Sequence, residues 1–289
     1  MELRLLRYFL AIANEGNISK AAETLHLTQP TLSRQLVDLE YEVGKKLFNR
    51  GRHISLTDEG RILQRRAEEI LKLVDKTKNE LNQTDELIGT ITIGSGVYSA
   101  SIELIKHLKD FSQLYPKVQY EIYTNSADTL QEKLDQGLFD FALLQEPIDV
   151  VNYDFLRLKR KDIWGLLMRV DSPLAAKTSI TREDLIDRRL GSARRLHIRH
   201  EIENWLGDSK DLNIVATFNL IDNALPLVVD GFIEVITIKS AVEYLDSNKV
   251  TFRPFYPTLE TSAVLVWKRF FPIFGINKVF LNFIKGFDL

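Results

Sequence analysis

Five hydrogen-bonding side chains lie close together near the start of a predicted helix over residues 29–43. Three leucines repeat at helical spacing in that helix and must face inward: Leu32, Leu36 and Leu39. The polar positions left on the outward side are Gln29, Thr31, Ser33, Arg34 and Gln35. Short polar side chains and one arginine at the front of an exposed helix suit the reading of base edges in the major groove. The pattern therefore predicts a nucleic-acid-binding helix.

A shorter helix precedes this one and would hold it in place. The pattern predicts it over residues 19–25, with the Ser19 hydroxyl accepting a hydrogen bond from a free backbone N–H of its first turn. The chain then turns at residues 26–28. Thr28 is predicted to cap the second helix, and Pro30 falls in its first turn, where the missing N–H costs nothing. Two helices joined by a tight polar turn are typical of a helix-turn-helix unit.

A basic segment follows and is predicted to form a hairpin. Arg50 and Arg52 flank a turn at Gly51, and Ile54 and Leu56 alternate with polar residues as in a strand. A basic hairpin beside such a helix is a wing, which can contact phosphates or the adjacent minor groove. The alternative is an ordinary helical hairpin with a solvated charged turn. The basic hairpin in register favours the nucleic-acid interpretation.

One long helix is predicted from residue 59 to residue 88, because this stretch has no proline and no glycine after Gly60. Small or apolar residues recur there in steps of four and three: Leu63, Ala67, Ile70, Val74, Thr77, Leu81, Thr84 and Ile88. A stripe only two positions wide favours a partner helix over packing on the chain's own core. The dimerisation residues predicted from this stripe are Leu63, Ala67, Ile70, Val74 and Leu81.

The remainder of the chain is predicted to be an α/β body. Apolar strands alternate with amphipathic helices over residues 90–144, which is the pattern of a parallel sheet with helices on both sides. A second unit of the same type follows over residues 163–238. Residues 263–267 are predicted as a return strand, before a closing helix over residues 277–285. The side chains expected to face inward from the first body helix are Ile105, Leu108 and Phe111.

Ligands of open α/β sheets bind beyond the carboxyl ends of the strands, against helix N-termini. The residues that we predict to bind a small molecule at such strand ends are Ser95, Gly96, Val97, Ser99, Asn125, Gln145, Glu146, Ser192, Arg194 and Asn223. Their hydroxyl and amide groups can hydrogen-bond a polar solute, and Arg194 or Arg195 could pair with a carboxylate. The alternative for any single residue is that it caps its own helix. The prediction therefore rests on five strand ends converging.

Composition limits the classes of protein to which the chain can belong. It has 289 residues, enough for two domains, and 45% of them are hydrophobic, enough for packed cores. Cysteine is absent, which excludes disulfides and thiolate metal sites and agrees with a reducing cytoplasm. Residues 1–66 contain eleven Lys and Arg against eight Asp and Glu, whereas the whole chain has a net charge of -2. A basic head on an acidic body indicates nucleic-acid contact at one end.

Several other classes of protein lack support in the sequence. No segment has the pattern of a signal peptide, and no apolar run is long enough to span a bilayer. We find no nucleophile motif, no metalloprotease helix and no phosphate-binding loop. We therefore expect a cytoplasmic protein that is not an enzyme, needs no cofactor or metal and does not contact a membrane.

The N-terminal residues resemble the DNA-binding domain of LysR-type transcriptional regulators. The residues that carry this resemblance are Phe9, Ala11, Ser19, Ala21, Ala22, Leu25, Thr28, Gln29, Pro30, Leu32, Ser33, Leu39, Glu40, Gly44, Leu47, Phe48, Arg50, Leu56, Thr57 and Gly60. Family phrases in the body, including Tyr115-Pro116, extend the resemblance over the whole chain. The fold that it implies is α/β with an N-terminal winged helix-turn-helix, a long linker helix and a two-lobed effector domain like that of periplasmic binding proteins.

The resemblance also implies domain bounds and site residues. The DNA-binding domain would comprise residues 1–58, the linker and dimerisation helix 59–88, and the effector-binding domain 89–289. Lobe 1 would span about 90–161 and 267–289, and lobe 2 about 162–266. The implied DNA-binding residues are Ser19, Thr28, Gln29, Pro30, Thr31, Ser33, Arg34, Gln35, Arg50 and Arg52.

The partners implied by the resemblance are double-stranded DNA, a small-molecule effector between the lobes, RNA polymerase, and further copies of the chain in a homodimer or homotetramer. Two alternatives stay open. The body could be a solute-binding or enzymatic α/β unit whose helical head docks onto another protein. A regulator could also have a cleft filled by its own side chains, and Phe232 motivates this alternative because a smaller residue is expected there.

Overall fold

The computed structural model describes residues 1–49, 54–81, 87–195, 200, 202–205, 212–246 and 248–286. The chain divides into two compact units, which comprise Met1–Gln83 (unit 1) and Thr84–Leu289 (unit 2). Within the described residues, no helix combines the length and the apolar character that crossing a membrane requires.

Four helices form unit 1 within its described residues: α1 Leu3–Glu15, α2 Ile18–Thr24, α3 Gln29–Val43 and α4 Asp58–Leu81. The predicted bounds of α3 are confirmed. Thr28 caps α3 as predicted, since its Oγ1 accepts a hydrogen bond from the Thr31 backbone N–H at 3.4 Å. The predicted cap of α2 by Ser19 is wrong. Asn17 caps α2 instead, because its Oδ1 accepts from the N–H groups of Ser19 at 2.8 Å and Lys20 at 3.1 Å.

A single apolar core lies between these helices. The three leucines of α3 that helical spacing places inward are at most 3% exposed, and they share the core with residues of α1 and α2. The core also includes Phe48, whose ring centroid lies 5.3 Å from that of Phe9 in α1. Burial of this stripe fixes which side of α3 faces solvent.

The predicted hairpin begins and ends with two short antiparallel strands, β1 Phe48–Asn49 and β2 Ser55–Leu56. The strand prediction for Leu56 is therefore confirmed. The tip of the hairpin over residues 50–53, with Arg50 and Arg52, lies outside the described residues.

One side of α4 packs on the core of unit 1. Ala67 is fully buried there, and Leu63 packs against the same cluster. The expectation that the whole heptad stripe faces a partner is therefore wrong for Ala67, because its own unit already covers it. Farther along, Ile70 is 37% exposed and Leu81 is 80% exposed. Thr84 lies outside the described residues.

Unit 2 is an α/β body, as predicted. Its helices and strands in chain order, within the described residues, are β3 Gly89–Ser95, α5 Ser99–Leu114, β4 Val118–Thr124, α6 Ala127–Asp135, β5 Phe141–Gln145, β6 Tyr153–Arg157, β7 Asp162–Arg169, β8 Leu190–Ala193, β9 Ile214–Phe218, α7 Leu225–Val229, β10 Glu234–Ile238, β11 Val250–Pro254, β12 Glu260–Thr261, β13 Ala263–Lys268 and α8 Gly275–Lys285. The sequence pattern does not predict β6 or β11. Both are edge strands of mixed polarity, so neither shows a continuous apolar run.

The first sheet of unit 2 has the strand order β4-β3-β5-β13-β6, and we call the region around it lobe 1. Strand β3 is parallel to β4 and β5, as predicted, whereas β13 is antiparallel to β5 and β6. Helices α5 and α8 cover one face, where the rings of Phe111 and Phe280 lie 5.1 Å apart. The inward prediction for Ile105 is wrong. It is 57% exposed because Leu104, next to it in α5, occupies the buried side.

The second sheet has the strand order β11-β7-β10-β8-β9, with β12 also paired to β7, and we call the region around it lobe 2. Strand β8 is parallel to β9 and β10, and β7 is antiparallel to β10 and β11. The return strand β13 belongs to the sheet of lobe 1. Residues 263–266, which the sequence prediction gives to lobe 2, therefore lie in the sheet of lobe 1.

Candidate nucleic-acid interface and ligand cleft

The outward side of α3 presents the polar side chains that the sequence singles out. Gln29, Thr31 and Arg34 are exposed, and Ser33 and Gln35 are half-buried. Gln29 Nε2 donates a hydrogen bond to Ser33 Oγ at 3.1 Å, which orients both side chains along the helix. The Arg34 guanidinium makes no ion pair within the described part of the chain. Its donors are therefore free to bind an acceptor from outside.

The remaining predicted contacts border this side of α3. Ser19 is exposed in the first turn of α2, and Thr28 and Pro30 are exposed at the start of α3. The hydroxyl of Thr28 lies 2.8 Å from that of Thr31, so the capping interaction also fixes one of the outward side chains.

The buried carboxylate of Glu40 connects the end of α3 to the wing. Its Oε1 accepts from the backbone N–H of Leu47 at 2.9 Å and of Phe48 at 3.4 Å, and Lys46 Nζ donates to Oε2 at 2.8 Å. Burial raises the pKa of Glu40, but these hydrogen bonds and the charge of Lys46 outweigh it and leave the pKa below its ordinary value. The carboxylate thus stays ionised and holds β1 against α3. Gly44, at φ +70°, lets the chain turn back between them.

A cavity of about 750 Å³ lies between lobe 1 and lobe 2 and is lined by residues of both. Six of the ten residues predicted to bind a small molecule line it: Gly96, Val97, Asn125, Gln145, Arg194 and Asn223. They come from four strand ends and from the turn before α7. The structure therefore brings together residues that are up to 127 positions apart in the sequence.

The other four predicted residues lie outside the cavity lining. Ser192 is buried within β8, and the Ser95 hydroxyl donates to the Gly96 carbonyl oxygen at 2.6 Å. Ser99 donates to the buried Asp162 carboxylate through both its backbone N–H, at 2.7 Å, and its hydroxyl, at 2.8 Å. The Glu146 carboxylate accepts two hydrogen bonds from Arg157. The polar groups of Ser95, Ser99 and Glu146 are therefore already used by other parts of the protein.

Arg195 spans the two lobes at the edge of the cavity. It follows β8 in lobe 2, and its Nη1 and Nη2 atoms donate to the carbonyl oxygens of Gln145 at 2.9 Å and Pro147 at 3.1 Å in lobe 1. Burial lowers the pKa of the Arg195 guanidinium and raises the pKa of the neighbouring Tyr98 phenol to about 12. The phenol is therefore neutral. The Tyr98 ring folds back over Gly96, where a Cβ atom would lie 2.3 Å from it.

Phe232 does not fill the cleft. It is 43% exposed, with the Arg189 guanidinium 4.1 Å above its ring centroid, and it does not line the cavity. Phe232 therefore gives no support to the alternative of a cleft filled by the protein's own side chains.

Two protein families match this chain. The family described as "Bacterial regulatory helix-turn-helix protein, lysR family" matches residues 3–61, and the "LysR substrate binding domain" matches residues 84–286. The second match alone covers more than half of the chain. The chain belongs to the LysR family.

This LysR-type protein is similar to regulators of known name. "HTH-type transcriptional regulator YtlI" of Bacillus subtilis (strain 168) is 33% identical over 71% of this chain and 67% of its own length. "Hca operon transcriptional activator HcaR" of Escherichia coli (strain K12) is 29% identical over 93% of this chain and 92% of its own length. Alignments with two further Bacillus subtilis regulators cover 56% and 63% of those proteins.

The fold of this LysR-type protein also matches solved structures. Full-length CbnR complexed with its target DNA has a TM-score of 0.75 and 19% identity, and the match covers 99% of both chains. Family and fold thus agree, and the chain is a DNA-binding transcriptional regulator with a substrate-binding effector domain.

Two features of this LysR-type regulator escaped the sequence prediction. Glu40 had a detectable signal, because it lies four and eight positions after Leu36 and Leu32 and so shares their buried side. Trp164, which lines the cavity from β7, had none, because an apolar strand predicts burial without saying what the indole N–H faces. The sequence also does not distinguish Arg194 from Arg195, although only Arg195 donates across the two lobes.

Proposed function

We propose that this LysR-type regulator reads double-stranded DNA with the outward side of α3. The observation that carries the proposal is the exposed, unpaired guanidinium of Arg34 beside Gln29 and Thr31 on a capped, well-packed helix. An arginine on such a helix can donate two parallel hydrogen bonds to a guanine edge. Arg50 and Arg52 of the wing, with Ser19 at the start of α2, would contact the backbone. The other proposed contacts are Thr28, Pro30, Ser33 and Gln35.

We further propose that residues 1–58 act as the DNA-binding domain, 59–88 as the linker and 89–289 as the effector domain. A small molecule in the cleft would favour one arrangement of the lobes and so change the spacing of DNA-binding domains within an oligomer. Such a protein works in the cytoplasm, acts on RNA polymerase at the promoter and catalyses no reaction.

The experiment that tests DNA reading replaces Arg34 by Ala and measures binding to fragments recovered from the genome with the wild-type protein. Loss of a bidentate base contact should weaken binding to these fragments about tenfold or more, and binding to unrelated DNA by less. Arg157→Ala is the matched control, because Arg157 is also an exposed arginine and lies in unit 2. Equal affinity of Arg34→Ala and wild type would refute the proposal.

Salt dependence separates this proposal from a head that docks onto another protein. DNA binding through the basic head should weaken steeply as salt is added, because counterions are released from the phosphates. A protein-docking head would retain no DNA even at low salt.

The proposal includes self-association through the later turns of α4. Ile70, Leu73 and Leu81 leave 37%, 44% and 80% of their surface exposed, an apolar stripe that a second α4 could cover. Combining Ile70→Asp with Leu81→Asp should lower the mass of the protein in light scattering at low concentration. Glu68→Lys, an exposed charge change elsewhere on α4, is the control and should leave the mass unchanged. An unchanged mass for the double variant would contradict pairing through this stripe.

A further inference from the structure

Two N–H groups at the cleft are buried without an acceptor. Trp164, 2% exposed, and Arg195 both line the cavity, and neither Trp164 Nε1 nor Arg195 Nε has a hydrogen-bond partner within the described residues. A buried donor without an acceptor is rare in folded proteins, and each one destabilises the structure that contains it. Two of them in the lining of one cavity indicate that the site is completed by a molecule that brings acceptors.

The charge of Arg195 points to an anion. Two of the five guanidinium N–H groups bind carbonyl oxygens, which satisfy hydrogen bonds without neutralising the charge. The nearest carboxylate oxygen, Asp128 Oδ1, lies 4.0 Å from Arg195 Nε, and the Asp128 side chain is 77% exposed. Water therefore screens that pair. A partly buried guanidinium with so weak a counter-charge favours an anionic ligand.

The first turn of α6 adds to this preference. Asn125, Ser126 and Thr129 line the cavity at the start of α6. Asn125 Oδ1 accepts from the Ser126 backbone N–H at 2.8 Å, but the Ser126 side chain caps none of the N–H groups in the first turn of the helix. Free N–H groups and the helix dipole both favour negative charge at that end. Asp128 and Asp222, both exposed, also line the cavity and would repel a doubly charged group such as phosphate more than a singly charged one.

Another part of the lining is apolar. Besides the Trp164 ring, it contains Phe218, Ile236 and Ile238 from the strands of lobe 2. An apolar wall next to a few polar groups is the usual construction of a small-molecule site, and about 750 Å³ is within the usual range of volumes. The ligand should therefore combine one charged end with an apolar portion.

We infer that the cleft binds a small organic monocarboxylate, whose oxygens accept hydrogen bonds from Trp164 Nε1 and the Arg195 guanidinium while its apolar portion lies against Phe218, Ile236 and Ile238. This inference rests on the proposed function, because it names the class of molecule that the effector domain senses. A carboxylate offers acceptors only, whereas an amide or alcohol would also bring a donor towards the two N–H groups. Both nitrogens are closed off from water, so an incoming oxygen must displace a covering side chain or lobe. Occupancy is thereby linked to the lobe arrangement.

The test is isothermal titration of the full-length protein with matched pairs of probes. The probes are phenylacetate with phenylacetamide, 3-methylbutanoate with 3-methylbutanamide, and hexanoate with hexanamide. At least one carboxylate should bind, and its amide should bind tenfold more weakly or worse, because a hydrogen bond to a charged group is lost. If no carboxylate binds, or if the amides bind equally well, the inference is wrong. This comparison needs no variant and so does not depend on the folding of one.

Two matched pairs of variants then locate the contacts. Arg195→Gln should weaken binding of the carboxylate tenfold or more, whereas Arg189→Gln, which changes an exposed arginine of lobe 2 outside the cavity lining, should change it less than threefold. Trp164→Phe should weaken binding about tenfold, whereas Trp205→Phe should not, because Trp205 Nε1 donates to the Pro257 carbonyl oxygen outside the cavity. Equal effects within either pair would show that the carboxylate does not contact Arg195 or Trp164 as inferred.

Failure of the inference and failure of the proposed function give different results. A carboxylate that binds through Arg195 and Trp164 but leaves DNA binding unchanged would refute the regulatory proposal and support the carboxylate site. A metabolite that alters DNA binding but binds equally well to Arg195→Gln and wild type would support the regulatory proposal and refute the carboxylate site.

Discussion

The α3 surface of unit 1 and the cleft of unit 2 satisfy their polar groups in opposite ways. In unit 1 the buried carboxylate of Glu40 has three donors around it, and the outward side chains Gln29, Thr31 and Arg34 of α3 are exposed. In the cleft, Trp164 Nε1 and Arg195 Nε are buried donors without a hydrogen-bond partner among the described residues. None of the buried side-chain atoms without a partner, among the described residues, belongs to unit 1.

This difference separates two kinds of recognition. Water solvates the α3 side chains before DNA arrives, so each contact exchanges one hydrogen bond for another and adds only a modest net gain. The cleft donors have already lost their water, so folding has incurred a penalty of roughly 1–3 kcal/mol for each such group. An acceptor that reaches them recovers that penalty. The polar groups of the α3 surface have hydrogen-bond partners without DNA, whereas two donors of the cleft lack an acceptor without a ligand.

The largest effect is expected for Glu40, the buried carboxylate whose hydrogen bonds are satisfied within unit 1. Glu40→Ala removes the acceptor of two backbone N–H groups and the partner of Lys46. Leaving buried N–H groups unpaired should lower the free energy of unfolding of unit 1 by about 2–4 kcal/mol. Urea unfolding followed by far-UV circular dichroism measures this. Glu23→Ala, an exposed glutamate at the end of α2, is the control and should change it by less than about 0.5 kcal/mol.

Acid should weaken the same contact. Because the pKa of Glu40 is lower in the folded protein than in the unfolded chain, its stabilisation is present above the unfolded pKa and is lost as the pH falls through the lowered value. The stability gap between wild type and Glu40→Gln should therefore shrink on acidification. A gap that stays constant down to the acid unfolding of unit 1 would mean that Glu40 acts without its charge.

Unit 1 was largely predictable because its signals are local. The leucine spacing, the Thr28 cap and Gly44 fixed α3 within one element, and short-range sterics leave few alternatives. The errors there came from competition between neighbours. Asn17 caps α2 in place of Ser19, since a residue two positions earlier can reach the same N–H groups. Ala67 turned inward because the core of unit 1 covers it.

The cleft could be predicted only as a location. Strand order placed Asn125, Gln145 and Asn223 at converging strand ends, and these residues do line the cavity. The use of Ser99 by Asp162, 63 positions away, depends on tertiary geometry that no local pattern encodes. The lack of a hydrogen-bond partner for Trp164 Nε1 also depends on tertiary geometry. A sequence shows which groups can form hydrogen bonds but does not show which of them lack a partner.

The smallest effect on stability is expected for Trp164→Phe, which tests directly whether the Trp164 N–H in the cleft lacks a partner. Trp164 is 2% exposed, so burial alone would make Trp164→Phe costly. Its N–H is unpaired, however, and removing it relieves a penalty of roughly 1–3 kcal/mol, which offsets the lost packing. Without ligand, we expect the free energy of unfolding to change by less than about 1 kcal/mol. Urea unfolding measures this change.

Trp205→Phe provides the comparison within the same lobe. Trp205 is only half-buried, but its Nε1 donates to the Pro257 carbonyl oxygen at 2.8 Å and its ring stacks on Phe255 with centroids 4.5 Å apart. This substitution should cost at least as much as Trp164→Phe, although it removes a less buried indole. A loss of about 3 kcal/mol for Trp164→Phe would show that its N–H is satisfied in the empty cleft. The contrast between a complete α3 surface and an incomplete cleft would then disappear.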